Sequence, residues 1–218
     1  MIEKKSYGLK ATAFAALALA FASFGDAFLY PFLPVNFDSV GVPVLWVGLL
    51  LSINRFVRII SNTLLVHAFA KYGLRSIMIL GVALAITSTL GYGIATSLIA
   101  WMTFRVIWGL AFSAMRIGNL GYALQHERKG FALGISRSLQ EAGPMLSLFI
   151  APILLSYFEP KTIFFLLALL SAPALYFAIS LPHVDDKTQS LESRKFIRWP
   201  SSLNSITLVS AILIDGII

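Results

Sequence analysis

The chain has 218 residues, of which 58% are hydrophobic and only 12% charged, with a mean hydropathy of +0.82 and a formal net charge of +7. A water-soluble domain carries about 25% charged residues, so lipid is the expected solvent, and a nucleic-acid-binding surface is excluded because the bases sit in short loops between apolar runs. There is no cysteine, which rules out disulfides, thiolate nucleophiles and cysteine-held metals.

In chain order, Lys4, Lys5 and Lys10 precede an apolar run over 11–33. Ala20, Phe21 and Ala22 have the small-residue spacing of a signal-peptide cleavage site, but the run continues past them and holds Asp26, so a retained first span is expected. The turn-rich segment 35–43 leads to a second span over 44–69, with Arg55 and Arg58 inside it. A basic turn over 71–75 precedes the uncharged third span, 76–95. The fourth span, 98–123, contains Arg105 and Arg116, and a basic loop over 126–130 follows. Arg137 and Glu141 lie in the fifth span, 131–157, and an uncharged sixth span covers 162–181.

Residues 182–202 read as a polar linker, with Trp199 suited to the headgroup region. The chain turns apolar again over 203–218, but sixteen residues reach only about 24 Å as a helix, against a hydrocarbon core of about 30 Å. The expected fold is therefore an all-α integral membrane bundle of six spans followed by a truncated seventh.

Orientation follows from the bases. Lys4, Lys5, Lys10, Lys71, Arg75, Arg128, Lys129, Lys187, Arg194, Lys195 and Arg198 fall on one side, and Lys161 alone falls on the other. The N-terminus and the 182–202 linker are accordingly expected in the cytoplasm of a cell whose plasma membrane the chain crosses.

The charges inside the spans are uneven: spans one, two, four and five hold Asp26, Arg55, Arg58, Arg105, Arg116, Arg137 and Glu141, and spans three and six hold none. An arginine at membrane depth costs at least about 2.5–3.5 kcal/mol and is usually kept for a polar cavity, a partner charge or a substrate path. Asp26 lies seven residues before the end of its run and Arg105 seven after the start of its own, so both sit about 10 Å below the outer face and can pair. Arg55 and Glu141 come out near mid-membrane, and Arg116 close enough to the cytoplasmic side to snorkel. Arg137 and Glu141, one turn apart, can neutralise each other.

These features resemble the N-terminal half of the major facilitator superfamily: six spans, both ends cytoplasmic, a charged central linker and the start of a seventh helix. The resemblance implies that the first and fourth helices line a cavity, the second and fifth flank it, and the third and sixth pack outside. Arg105 followed by Gly109, with Ser113 one turn on, is similar to the family's fourth-helix pattern. Residues 66–75 are similar to its 2–3 loop pattern at Lys71, Gly73 and Arg75, whereas Val66 and Ala70 stand where that pattern has glycine and aspartate. The fifth-helix antiporter pattern is similar at Gly130, Gly143 and Pro144 and departs at Leu139, Ser147 and Leu148. Together these imply a conformational or gating role for Lys71, Gly73, Arg75, Gly109, Gly143 and Pro144. The segments around Asp26 and Asp215 are also alike, as the first helices of two repeated halves would be.

The expected function is secondary transport of a small solute by alternating access, with Asp26, Arg55, Arg58, Arg105 and Glu141 lining or gating the path. Five arginines against two acids in the spans favour an anionic solute. Asp26 is a candidate proton carrier, and the fifth-helix pattern points to proton-coupled export. No catalytic residue, metal or cofactor is expected. His67, His126 and His183 lie in or near the cytoplasmic loops, and neither a G-x-S-x-G nor an H-E-x-x-H pattern occurs, which argues against the alternative of a membrane-embedded enzyme. A further alternative is a non-transporting or partner-dependent half, because a half bundle exposes its polar face to lipid unless a second six-helix half, or a second copy of this chain, covers it. The expected partners are thus a small-molecule solute, the bilayer and such a second half.

Overall fold

A computed structural model describes residues 8–183 of the chain. The expected seventh segment, 203–218, and all of the linker except Pro182 and His183 lie outside the described residues. Helices α1 (Leu9–Ala22) and α2 (Phe24–Asn36) form the first span, and a short 3-10 turn, Asp38–Val40, follows them. Then come α3 (Val44–Tyr72), α4 (Leu74–Ile94), α5 (Leu98–Leu124) and α6 (Lys129–Tyr157), with α7 (Pro160–Leu170) and α8 (Pro173–Ile179) sharing the sixth span. No strand occurs among the described residues, and six stretches are long and apolar enough to cross a membrane. The fold is an all-α membrane bundle.

Two spans that read as unbroken apolar runs are interrupted. In the first, the Ser23 hydroxyl donates back to the Leu19 carbonyl at 2.7 Å, and the helix resumes at Phe24 with Pro31 and Pro34 still to come. Those prolines lack the N–H that would meet the carbonyls of Ala27 and Tyr30. In the sixth, the Ser171 hydroxyl donates to Leu167 O at 2.8 Å, and Pro173 forces the backbone to close by shorter i to i−3 bonds from Ala172 and Ala174. Apolar run length carries no trace of either break, because serine and proline are tolerated at membrane depth when their freed backbone groups find partners.

Span two also differs in length. Its membrane-suited part ends at Asn62, but the helix runs on to Tyr72 and turns straight into α4 through Gly73. Gly73 has φ +80° and ψ 158°, a conformation a side chain would strain.

Two apolar cores lie at opposite ends of the bundle. One joins α1, the start of α4, the later half of α5 and α8, around Leu19, Met78, Trp108, Met115 and Tyr122. The other joins α2, the start of α3, the end of α4, the start of α5 and α7, around Phe28, Phe32, Tyr92, Trp101 and Phe164. Each core draws on span starts and span ends alternately, as up-and-down crossings require. Phe28 and Phe32 stack at 4.9 Å, Tyr92 and Trp101 at 5.1 Å, and Phe164 meets all four rings.

Coverage is unequal. In the most apolar window of the first span 67% of residues are buried, against 22% in α3 and 17% in α6. Spans two and five are therefore the least enclosed, and they carry exposed side chains such as Phe56, Ile60, Phe149 and Ile153.

Candidate functional site

Helical spacing gathers the polar side chains on one face of each of four spans. Leu19, Ser23, Asp26 and Tyr30 follow the 3–4 residue rhythm along span one, as do Trp108, Phe112 and Arg116 along α5 and Arg137, Gln140, Glu141 and Pro144 along α6. With Asn54, Arg55 and Arg58 of α3 they enclose a cavity of about 210 Å³. Helices α4, α7 and α8 contribute nothing to its lining, so the cavity belongs to the four spans in which the charges gather.

Behind this wall lies Arg105, with no exposed surface. One Nη donates to Asp26 Oδ1, Nε donates to Leu50 O at 2.9 Å, and the other Nη donates to Leu51 O at 3.2 Å. Its guanidinium also stands 5.8 Å from the centre of the Tyr30 ring. A buried guanidinium that satisfies a carboxylate and two helix carbonyls holds α2, α3 and α5 at one depth. Residue counting makes this pairing geometrically allowed, and the structure makes the pair. Asp26 itself remains 14% exposed, toward the cavity it lines.

The other charges are arranged more openly. Arg137 bonds Glu141 at 3.1 Å along α6, with both side chains close to half exposed. The Arg58 guanidinium stands 5.0 Å from the centre of the Phe112 ring, which positions it between α3 and α5. Arg55 and Arg116 complete the basic lining. Neutral polar links tie the walls together. Ser61 donates to Ser113 at 2.9 Å, Asn119 reaches Gln140 Oε1 at 3.2 Å, and Asn54 Nδ2 lies 3.5 Å from Tyr30 Oη.

Close backbone approach explains two glycines. A Cβ on Gly109 would stand 2.9 Å from Val57 Cβ and Cγ1 and 3.1 Å from Asn54 O, so α3 can lie against α5 only where a side chain is missing. At Gly143 a Cβ would fall 1.9 Å from Ala20 O, and one turn on the Ser147 hydroxyl donates to Phe24 O at 2.9 Å. Pro144, beside Gly143, lines the cavity. Gly130 sits in open space at the start of α6, where a Cβ would meet nothing within 4 Å.

The 2–3 loop residues stand apart from the cavity. Lys71 is exposed, with its ammonium 5.1 Å from the Tyr72 ring centre. Arg75 donates to Ile179 O at 2.7 Å, so its guanidinium caps the last turn of α8. The structure thus brings Asp26, Arg55, Arg58 and Glu141 into one cavity, seats Arg105 behind Asp26, and leaves Lys71, Gly73 and Arg75 at the α3–α4 turn.

Sequence reasoning missed Tyr30, Asn54, Trp108, Phe112 and Gln140 as lining residues, and read Arg116 as close enough to the cytoplasmic side to snorkel, where the structure has it lining the cavity. The signal was present: eleven residues from Arg105 to Arg116 are just over three whole turns, which returns the side chain to nearly the same face. Among the described residues no three His, Asp or Glu side chains are grouped to hold a metal ion.

No curated protein matches the chain at a significant level. Residues 15–217 match the family model of the Major Facilitator Superfamily, so nearly the whole sequence carries the family's pattern and the chain belongs to that family.

Proposed function

We propose that this major facilitator transporter carries a small anionic solute through the cavity between spans one, two, four and five. The observation that supports this is the lining, where among the described residues Arg55, Arg58, Arg116 and Arg137 stand with the acids Asp26 and Glu141. In a cavity walled by apolar helices such an excess attracts anions far more strongly than it would in water. The same residues carry the transport path, and Arg105 positions Asp26 from behind. The distribution of loop bases supports a plasma-membrane protein with its N-terminus in the cytoplasm. Because the chain has no cysteine, single cysteines introduced at Glu127 and Lys161 test this. An impermeant maleimide added to intact cells should label the second and spare the first, and the reverse pattern inverts the topology.

Among the described residues, Asp26 and Glu141 are the acids that line the cavity, and each holds a guanidinium. Protonating either adds one positive charge to the site, so proton and anion binding reinforce each other. That supports movement of both in the same direction. The fifth-span pattern at Gly130, Gly143 and Pro144 supports the second reading, export in exchange for protons. Reconstituted vesicles with an imposed pH gradient decide between them: anion accumulating on the alkaline side means co-transport, and on the acidic side means exchange. Charge movement driven by organic cations and by no anion would remove both.

Partner dependence is supported by a separate observation, the exposed apolar faces of α3 and α6 beside the charged cavity. A second six-helix half, or a second copy of this chain, would cover them.

A further inference from the structure

Between α5 and α6 a chain of hydrogen bonds leads from the protein interior into the cavity. The Ser136 hydroxyl donates to Asn119 Oδ1 at 2.9 Å, and Asn119 Nδ2 donates to Gln140 Oε1 at 3.2 Å. Ser136 and Gln140 stand one turn apart on α6, and Asn119 reaches both from α5. Asn119 and Ser136 are buried, whereas Gln140 lines the cavity.

The chain runs in one direction. A buried hydroxyl needs an acceptor for its proton. Ser138, on the same helix, finds one a turn earlier in Gly134 O at 3.1 Å. Ser136 makes no such bond among the described residues, so its proton goes to Asn119 Oδ1, and Asn119 has its Nδ2 left to offer Gln140. Gln140 therefore meets it with Oε1. A side-chain amide carries its donor and its acceptor at opposite corners, so an Oε1 engaged in the wall leaves Nε2 for the cavity. Among the described residues that amino group has no partner.

Held this way, Gln140 offers the cavity N–H protons and no lone pair. The group that suits it is an oxygen acceptor, and a charged oxygen suits it best. We propose that Gln140, provided that the solute is the anion proposed above, donates from Nε2 to one of its carboxylate or phosphate oxygens. Asn119 and Ser136 are positioning residues, which keep the donor and not the carbonyl turned to the solute. A neutral donor placed so adds affinity without adding charge, and it disfavours any solute that presents an N–H group at that point.

The test joins NMR to calorimetric titration on the full-length chain in lipid nanodiscs, with nitrogen-15 in the glutamine side chains. The chain has three glutamines, Gln125, Gln140 and Gln189, and Gln140→Met identifies the Gln140 signal by its loss. If that variant does not fold, Gln125→Asn and Gln189→Asn assign the signal by elimination, and the spectrum of the parent carries the test. The probes are methyl phosphate, benzoate and, as a cation, benzylammonium. At least one of the two anions should bind and shift the Gln140 side-chain amide while those of Gln125 and Gln189 stay in place, and the tighter anion tells phosphate from carboxylate. Gln140→Met, with an unchanged unfolding midpoint, should bind that anion about tenfold more weakly, the loss expected of one hydrogen bond to a charged group. Gln140→Glu sets a carboxylate in place of the donor and should bind it more weakly still. In Asn119→Leu the Ser136 hydroxyl can bond back to Ala132 O, the Gln140 amide is released to turn, and binding should weaken by about threefold.

An anion that binds while the Gln140 amide stays unmoved, or that binds Gln140→Met as tightly as the parent, overturns this inference and leaves the anion reading standing. Asn119→Leu binding like the parent overturns the positioning role. Benzylammonium binding in place of both anions overturns the inference and the reading beneath it, and a folded protein that binds no probe counts against the inference.

Discussion

Breaking the Asp26–Arg105 pair from the acid side strands a guanidinium that has no exposed surface. Asp26→Asn should therefore destabilise the protein by about 3–5 kcal/mol, seen as a lower unfolding midpoint in detergent. Adding Arg105→Met to it should recover a large part of the loss, because an apolar chain of similar length needs no partner. A single variant as stable as the parent would show that this pair does not hold the spans together. The pairing was legible in the sequence because counting residues from span ends gives depth, and equal depth is a necessary condition for contact. Depth says nothing about the direction a side chain faces around its helix. For that reason Arg116 read as a snorkelling residue when its face, shared with Arg105, turns it into the cavity.

Helix-to-helix approach makes the glycines of α6 unequal. Gly143→Ala places a methyl group where Ala20 O already sits, so α1 and α6 must separate, a strain of about 1–3 kcal/mol or more. At Gly134, on the same helix, a Cβ would meet nothing within 4 Å, and Gly134→Ala should be neutral or stabilising by up to about 1 kcal/mol. Thermal unfolding of the two variants side by side checks this, and equal midpoints would remove the close-contact explanation of Gly143. Gly73→Ala at φ +80° should cost about 1–3 kcal/mol by backbone strain alone, again read from the unfolding midpoint. The family resemblance singled out Gly73, Gly109 and Gly143. The close contacts supply a packing reason for the last two, and the positive φ a backbone reason for the first. The break at Ser171 has a sequence mark in Pro173, which run length overlooks, whereas neither polarity nor run length marks the one at Ser23.

At the scale of the whole bundle, α3 and α6 are the spans with most surface still uncovered. If a second bundle lies against them, a spin label in place of Phe149 should be shielded from lipid-dissolved oxygen, like one at the buried Ala151. A label there as accessible as one at the exposed Leu80 on α4 would mean that the α6 face meets lipid. The all-helical membrane fold was readable from composition and run length, because about twenty consecutive apolar residues have few other places to go. The grouping of charges into spans one, two, four and five likewise foreshadowed which helices wall the cavity.

The contact of Gly143 with Ala20 has a mechanical consequence. Span five lies directly on the backbone of span one there, and the Ser147 hydroxyl bonds the same stretch at Phe24 O. Spans one, two and four are already riveted together by Arg105. All four walls of the cavity are thus fastened to one another, like the staves of a hooped barrel. Parting any two of them means giving up the Arg105 cluster or the seat of Gly143 on Ala20.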